Sequence, residues 1–274
     1  MLESLDHETA LALLEWQIEL GATEAIGEGP VDRFAESAAA RAARAPARSP
    51  AAPGAQPALQ NRAAAPPPEA DSAGDPVAEA RALAAAAPDL AALREAMAGY
   101  SHCELKKGAR NLVFADGQPG ARVMIVGEAP GREEDQRGLP FVGRAGRLLD
   151  LMFGAIGMGR AAPDVEKALY ITNILPWRPP QNRDPSPEEI AMMLPFVERH
   201  VALADPDFLV LMGNISCQAL LGRKGITRLR GNWQTVFGRP ALPMFHPAFL
   251  LRNPPCKRES WSDLLLLQSR LEGK

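Results

Sequence analysis

The chain has 274 residues, with 30 Lys and Arg against 33 Asp and Glu, a formal charge of −3. That length holds one ordinary domain and some additional material. Its three cysteines, Cys103, Cys217 and Cys256, are too sparse for a disulfide framework, and no run of about 18 apolar residues offers a membrane span. The N-terminus is acidic and lacks a secretory or transit pattern, so a reducing, cytoplasmic setting is expected.

The small net charge hides a split. Residues 1–99 carry 7 basic and 15 acidic side chains, a net −8, whereas residues 100–274 carry 23 and 18, a net +5. A polyanionic partner is expected on the second part, because phosphate neutralisation releases counterions.

Within residues 1–36 the pattern predicts an amphipathic helix over 5–21, with Asp6 as its cap. Leu11, Leu14 and Ile18 lie at helical spacing, flanked by Leu13, Trp16 and Leu20, and Gly21 is its stop. Its apolar face is expected to dock either on the main domain or on a protein partner. Residues 37–76 are Ala-, Pro- and Arg-rich with no aromatic side chain, which predicts a disordered linker unable to offset the entropy of ordering. A second helix is expected from Pro76 to Gly99, with Leu90, Leu93 and Met97 on one face.

The remaining domain, 77–274, alternates short apolar runs with helical patterns. VMIVG (123–127), LYITNI (169–174), FLVLMG (208–213) and LPMF (242–245) read as strands buried on both faces. Residues 145–157, 187–203 and 214–222 read as helices. The rhythm predicts a three-layer α/β/α fold around a mostly parallel sheet. Ligands of such sheets bind beyond the carboxyl ends of the strands. There the chain places GEAPG, TNILPWRPPQNR and FHPAFLLRNP. GEAPG is not GxGxxG and gives a dinucleotide site no support.

GEAPGREEDQRGLPFVGRAG (127–146), ITNILPWRPPQNR (171–183), GITRLRG (225–231) and HPAFLLRNP (246–254) together resemble the family 4 uracil-DNA glycosylases, over roughly Met97 to the C-terminus. The resemblance implies an α/β/α hydrolase that removes uracil from DNA and leaves an abasic site. It implies that Gly127, Phe141 and Asn173 bind the base, with Phe141 stacking on it and Asn173 reading its edge. His246 contacts uracil O2, and Glu128 either activates water or steadies the cationic sugar. An amide suits this task, because uracil pairs an N3–H donor with an O4 acceptor. Leu250, Leu251 and Arg252 are expected on a loop that enters the duplex, and Arg228 and Arg230 against the phosphates. Glu133, Glu134 and Asp135 are expected to be supporting or solvated. A non-catalytic binder of damaged DNA, and a glycosylase for hypoxanthine or xanthine, remain alternative readings.

The family binds a [4Fe–4S] cluster through four cysteines. Here only Cys103 stands at such a position, and Tyr100, Trp177 and Met193 replace the others. One thiolate cannot hold the cluster. The expectation is therefore no metal and no cofactor, with side chains packed into the vacated volume. The expected partner is uracil-containing DNA, with no membrane contact and a monomeric chain.

Overall fold

The computed structural model describes residues 75–273. The helix expected over 5–21 and nearly all of the linker lie outside these residues.

The expected helix from Pro76 to Gly99 is two helices, α1 (Pro76–Ala86) and α2 (Leu90–Gly99). Pro88 interrupts the ladder, and Asp89 caps α2 by accepting a hydrogen bond from the Ala92 N–H at 2.8 Å. Then follow α3 (Leu105–Gly108), β1 (Asp116–Gly117), β2 (Val123–Gly127), α4 (Arg132–Arg137), α5 (Arg144–Gly154), β3 (Leu169–Asn173) and α6 (Pro187–Ala204). The chain continues through β4 (Phe208–Met212), α7 (Gly213–Leu221), α8 (Ile226–Leu229), β5 (Gln234–Val236), β6 (Arg239–Met244), α9 (Pro247–Arg252) and α10 (Lys257–Leu271).

The six-stranded sheet has the order β1-β3-β2-β4-β6-β5. β2, β3, β4 and β6 are parallel, and β1 and β5 form antiparallel edges. Strand alternation divides the apolar side chains between two faces. Met124, Val126, Leu209 and Leu211 join the core made with α1, α2 and α6. Val123, Ile125, Val210 and Met212 join the one made with α5 and α10. The sheet is thus covered on both sides, in three layers.

α6 is the longest helix described, opened by a capping box in which Ser186 and Glu189 satisfy each other's backbone N–H. Glu189 also accepts two hydrogen bonds from Arg183, at 2.6 and 2.9 Å. That bond ties the loop between β3 and α6 to a rigid helix end. None of the described helices is long and apolar enough to cross a membrane.

Candidate active site

The carboxyl ends of the four parallel strands deliver one cleft-lining residue each. Glu128 follows β2, Asn173 ends β3, Gly213 follows β4 and His246 stands just beyond β6. With Phe141 and Asp184 they line a cleft of about 730 Å³. The sequence singled out four of these six, Glu128, Phe141, Asn173 and His246; Gly213 was read only as the end of a strand, and Asp184 was missed, because nothing in DPSPEE distinguishes it from a helix-capping acid.

Gly127 and Asn173 are register partners on adjacent parallel strands. A Cβ on Gly127 would lie 2.3 Å from Asn173 Oδ1 and 2.6 Å from the Phe141 ring. Gly127 therefore serves the cleft by having no side chain, letting a ring and an amide close on one another. Asn173 is 5% exposed and lines the cleft, and its amide makes no hydrogen bond to another described residue. Its donor and acceptor are thus open to a ligand in the cleft.

Phe141 is buried with φ +51°, a left-handed conformation that costs a bulky residue of order 1–3 kcal/mol. Its ring lies over the His246 imidazole, with centroids 5.4 Å apart and planes 28° apart. Gly213, at φ +91°, also lies close to His246: a Cβ there would sit 3.1 Å from His246 Cβ.

His246 Nδ1 accepts a hydrogen bond from the Ala248 N–H at 3.1 Å. A backbone donor fixes the tautomer: Nδ1 carries no proton and Nε2 does. Burial, with the charge of Arg252 beside it, lowers the imidazole pKa to about 4. At neutral pH the ring is an uncharged donor through Nε2–H. Burial has the opposite effect on Glu128. Its carboxyl is pushed up to about 7, with repulsion from Asp184 adding to the shift.

The neighbouring acids are structural. Glu134 accepts from the N–H groups of Val142 and Gly143, both at 2.9 Å. Asp135 is buried and accepts from Arg110 and Asn111 N–H.

Two expectations about the DNA-facing residues are corrected. Leu250, Leu251 and Arg252 lie not on a loop but on α9, whose N-cap is His246. Helical periodicity turns Leu250 into the core at 1% exposure, while Leu251 stays 37% exposed. Leu251 and Arg252 are the exposed members of the segment. Arg230 is not free for phosphate: it pairs with the fully buried Asp263 and donates to Glu259 O at 2.7 Å. Breaking such a buried pair costs about 3–5 kcal/mol. Arg228, Arg223 and Lys224 are exposed and make no ion pair among the described residues.

Tyr100, Cys103, Trp177 and Met193 are buried in one core cluster. The Tyr100 hydroxyl donates to Pro76 O at 2.8 Å, and its ring meets Phe196 edge-on at 5.5 Å. Burial raises the Cys103 thiol pKa, which favours the thiol over the metal-binding thiolate. Phenol, indole and thioether are the wrong donors for an iron–sulfur cluster, so the side chains present do not fit it. Among the described residues no group of three or more His, Cys, Asp or Glu is placed to hold a metal.

A family model described as the uracil DNA glycosylase superfamily matches residues 114–265. The chain is 39% identical to a type-4 uracil-DNA glycosylase of Thermotoga maritima, over 55% of this chain and 77% of that protein. It is 37% identical to the type-4 enzyme of Archaeoglobus fulgidus, over 59% and 82%. With that of Pyrobaculum aerophilum it shares 36% identity, over 65% and 92%.

Proposed function

The chain belongs to the uracil DNA glycosylase superfamily, and from that premise we propose how its cleft works. The protein is a DNA-repair hydrolase that removes uracil from DNA. The observation that carries the reading is the convergence of a cleft-lining amide with no protein partner, a flat ring and an uncharged imidazole donor in one cleft.

A base flipped from the duplex stacks on Phe141. Asn173 Oδ1 accepts from uracil N3–H, and Nδ2 donates to O4. As the N-glycosidic bond breaks, electrons move onto the base and charge gathers at O2. His246 Nε2–H is the preorganised donor there. Water adds to the anomeric carbon and releases a proton to the cleft solvent, from which the departing uracil anion takes one up, leaving uracil and an abasic sugar. Glu128, as carboxylate, orients that water or steadies the cationic sugar. Exposed Arg228, Leu251 and Arg252 face the DNA, with Arg228 on the phosphates and Leu251 filling the space left by the base.

The experiment is single-turnover excision from a labelled uracil-containing oligonucleotide, read by alkaline cleavage of the abasic product. Wild type is expected to cut. Intact substrate would leave a damaged-DNA binder, and cutting only of hypoxanthine- or xanthine-containing substrates would assign another base. Because Glu128 is ionised above about pH 7, the rate is expected to rise with pH through 7 and level above it. Glu128→Gln is expected to be slow and to lose that limb. A rate that falls as pH rises through 7 would make Glu128 an acid.

We further infer that the protein works without an iron–sulfur cluster, with Tyr100, Trp177 and Met193 filling the volume. Purified protein is expected to be colourless, to carry no stoichiometric iron, and to excise uracil after exhaustive chelation. A visible charge-transfer band with stoichiometric iron would reject this. Three free thiols suit a reducing cytoplasm.

A further inference from the structure

We propose that Arg160, on the turn between α5 and β3, is the positioning residue that holds Phe141 in its base-stacking conformation. The proposal rests on the assignment of Phe141 to the uracil pocket.

The Arg160 guanidinium is mostly buried. It donates to the Pro140 carbonyl and to the Phe141 carbonyl, both at 2.9 Å. Two carboxylates hold it in place: Asp116 on β1 at 2.8 Å and Asp150 on α5 at 2.9 Å. Arginine suits this task because its planar fork presents several donors in fixed directions, which lysine cannot reproduce.

The contacts fall where the backbone is least willing. Phe141 is one of the few non-glycine residues with positive φ, and relaxation to negative φ would swing its ring away from His246. The opposite side of the segment is held by Glu134, which accepts from Val142 and Gly143 N–H. The carbonyls of Pro140 and Phe141 are thus held by one side chain and the following amides by another. Gly146 closes the third side: a Cβ there would lie 1.7 Å from Phe141 O, so the first turn of α5 lies directly against that carbonyl. Arg160 itself has no place in the cleft lining. Its influence on the base therefore passes through Phe141.

The test is a double-mutant cycle in single-turnover uracil excision, with Arg160→Met, Phe141→Ala and both together. Each single variant is expected to lose roughly ten- to a hundredfold, the range for one base–aromatic stack. The double variant should be no slower than Phe141→Ala alone. Arg160→Lys should fall between wild type and Arg160→Met, and it supplies the same cycle if the Met variant does not fold. A general structural role would instead multiply the two losses, and that result would overturn the proposal. A crystal structure of the Arg160 variant gives a readout independent of activity: Phe141 should leave the left-handed region. If its φ and ring stay in place, the proposal fails even where excision drops. Wild type that does not excise uracil would reject the pocket's assignment instead, and the crystal structure would still test the clamp.

Discussion

Replacing Asn173 with Asp is expected to lower uracil excision by roughly 10⁴-fold, on the scale at which a site built around a buried hydrogen-bond match rejects a mismatch. The side chain is nearly isosteric, so packing against Gly127 is kept and the fold should melt within a few degrees of wild type. What changes is the pattern of donors. The amide offers one acceptor and one donor, matched to N3–H and O4. A carboxylate offers acceptors only and sets a buried negative charge against O4. Protonation restores an O–H donor, so acidification should narrow the gap between variant and wild type when both are compared at each pH. The comparison must be made that way, because Glu128 in the wild type loses its charge below about pH 7. Single-turnover rates from pH 5 to 8 check it. Excision within tenfold of wild type at neutral pH would mean that Asn173 does not read the base.

The strands and the site residues at their ends were legible because each leaves its signature in consecutive residues. VMIVG, LYITN and FLVLM are buried at every position, as a strand covered on both faces requires. Gly127, Asn173 and His246 sit at the ends of such runs. Other features depend on what a side chain meets across the fold. The break at Pro88 was available from the Pro-Asp pair, since Asp89 is a strong N-cap, yet the apolar face continues through it. The DNA-facing segment illustrates the limit more sharply. HPAFLLRNP reads equally as loop or helix, and only the cap made by His246 Nδ1 starts the helix that buries Leu250. Arg230 lies in a cationic sequence, but its partner Asp263 is 33 residues away. Likewise nothing in GMGRAAPD links Arg160 to LPFVG; sheet closure brings them together. Asp184 acquires meaning only because the Arg183–Glu189 pair fixes its loop beside Glu128.

Removing the imidazole is the other large expected effect. His246→Ala should slow excision by roughly 10²–10³-fold, about 2.7–4 kcal/mol, the usual loss for one preorganised donor at a developing oxyanion. Two roles meet in this side chain, and they are separable. Nδ1 caps α9, which carries Leu251 and Arg252, while Nε2–H is the proposed donor to the base. Alanine removes both, so part of its effect could come from a displaced helix. Asn is a strong N-cap but too short to carry a donor to the Nε2 position. His246→Asn is therefore expected to keep the melting temperature and the affinity for abasic product DNA, yet lose nearly the full rate. If His246→Asn recovers most of the rate, the residue acts mainly as a cap. The pH profile distinguishes a neutral donor from an imidazolium. Burial and Arg252 hold the pKa near 4, so wild type should show no rise in rate as pH falls from 7 to 5 and only the decline set by Glu128. An increase over that range would require a charged imidazole, and with it a cleft less dry than the stacking of Phe141 on His246 implies.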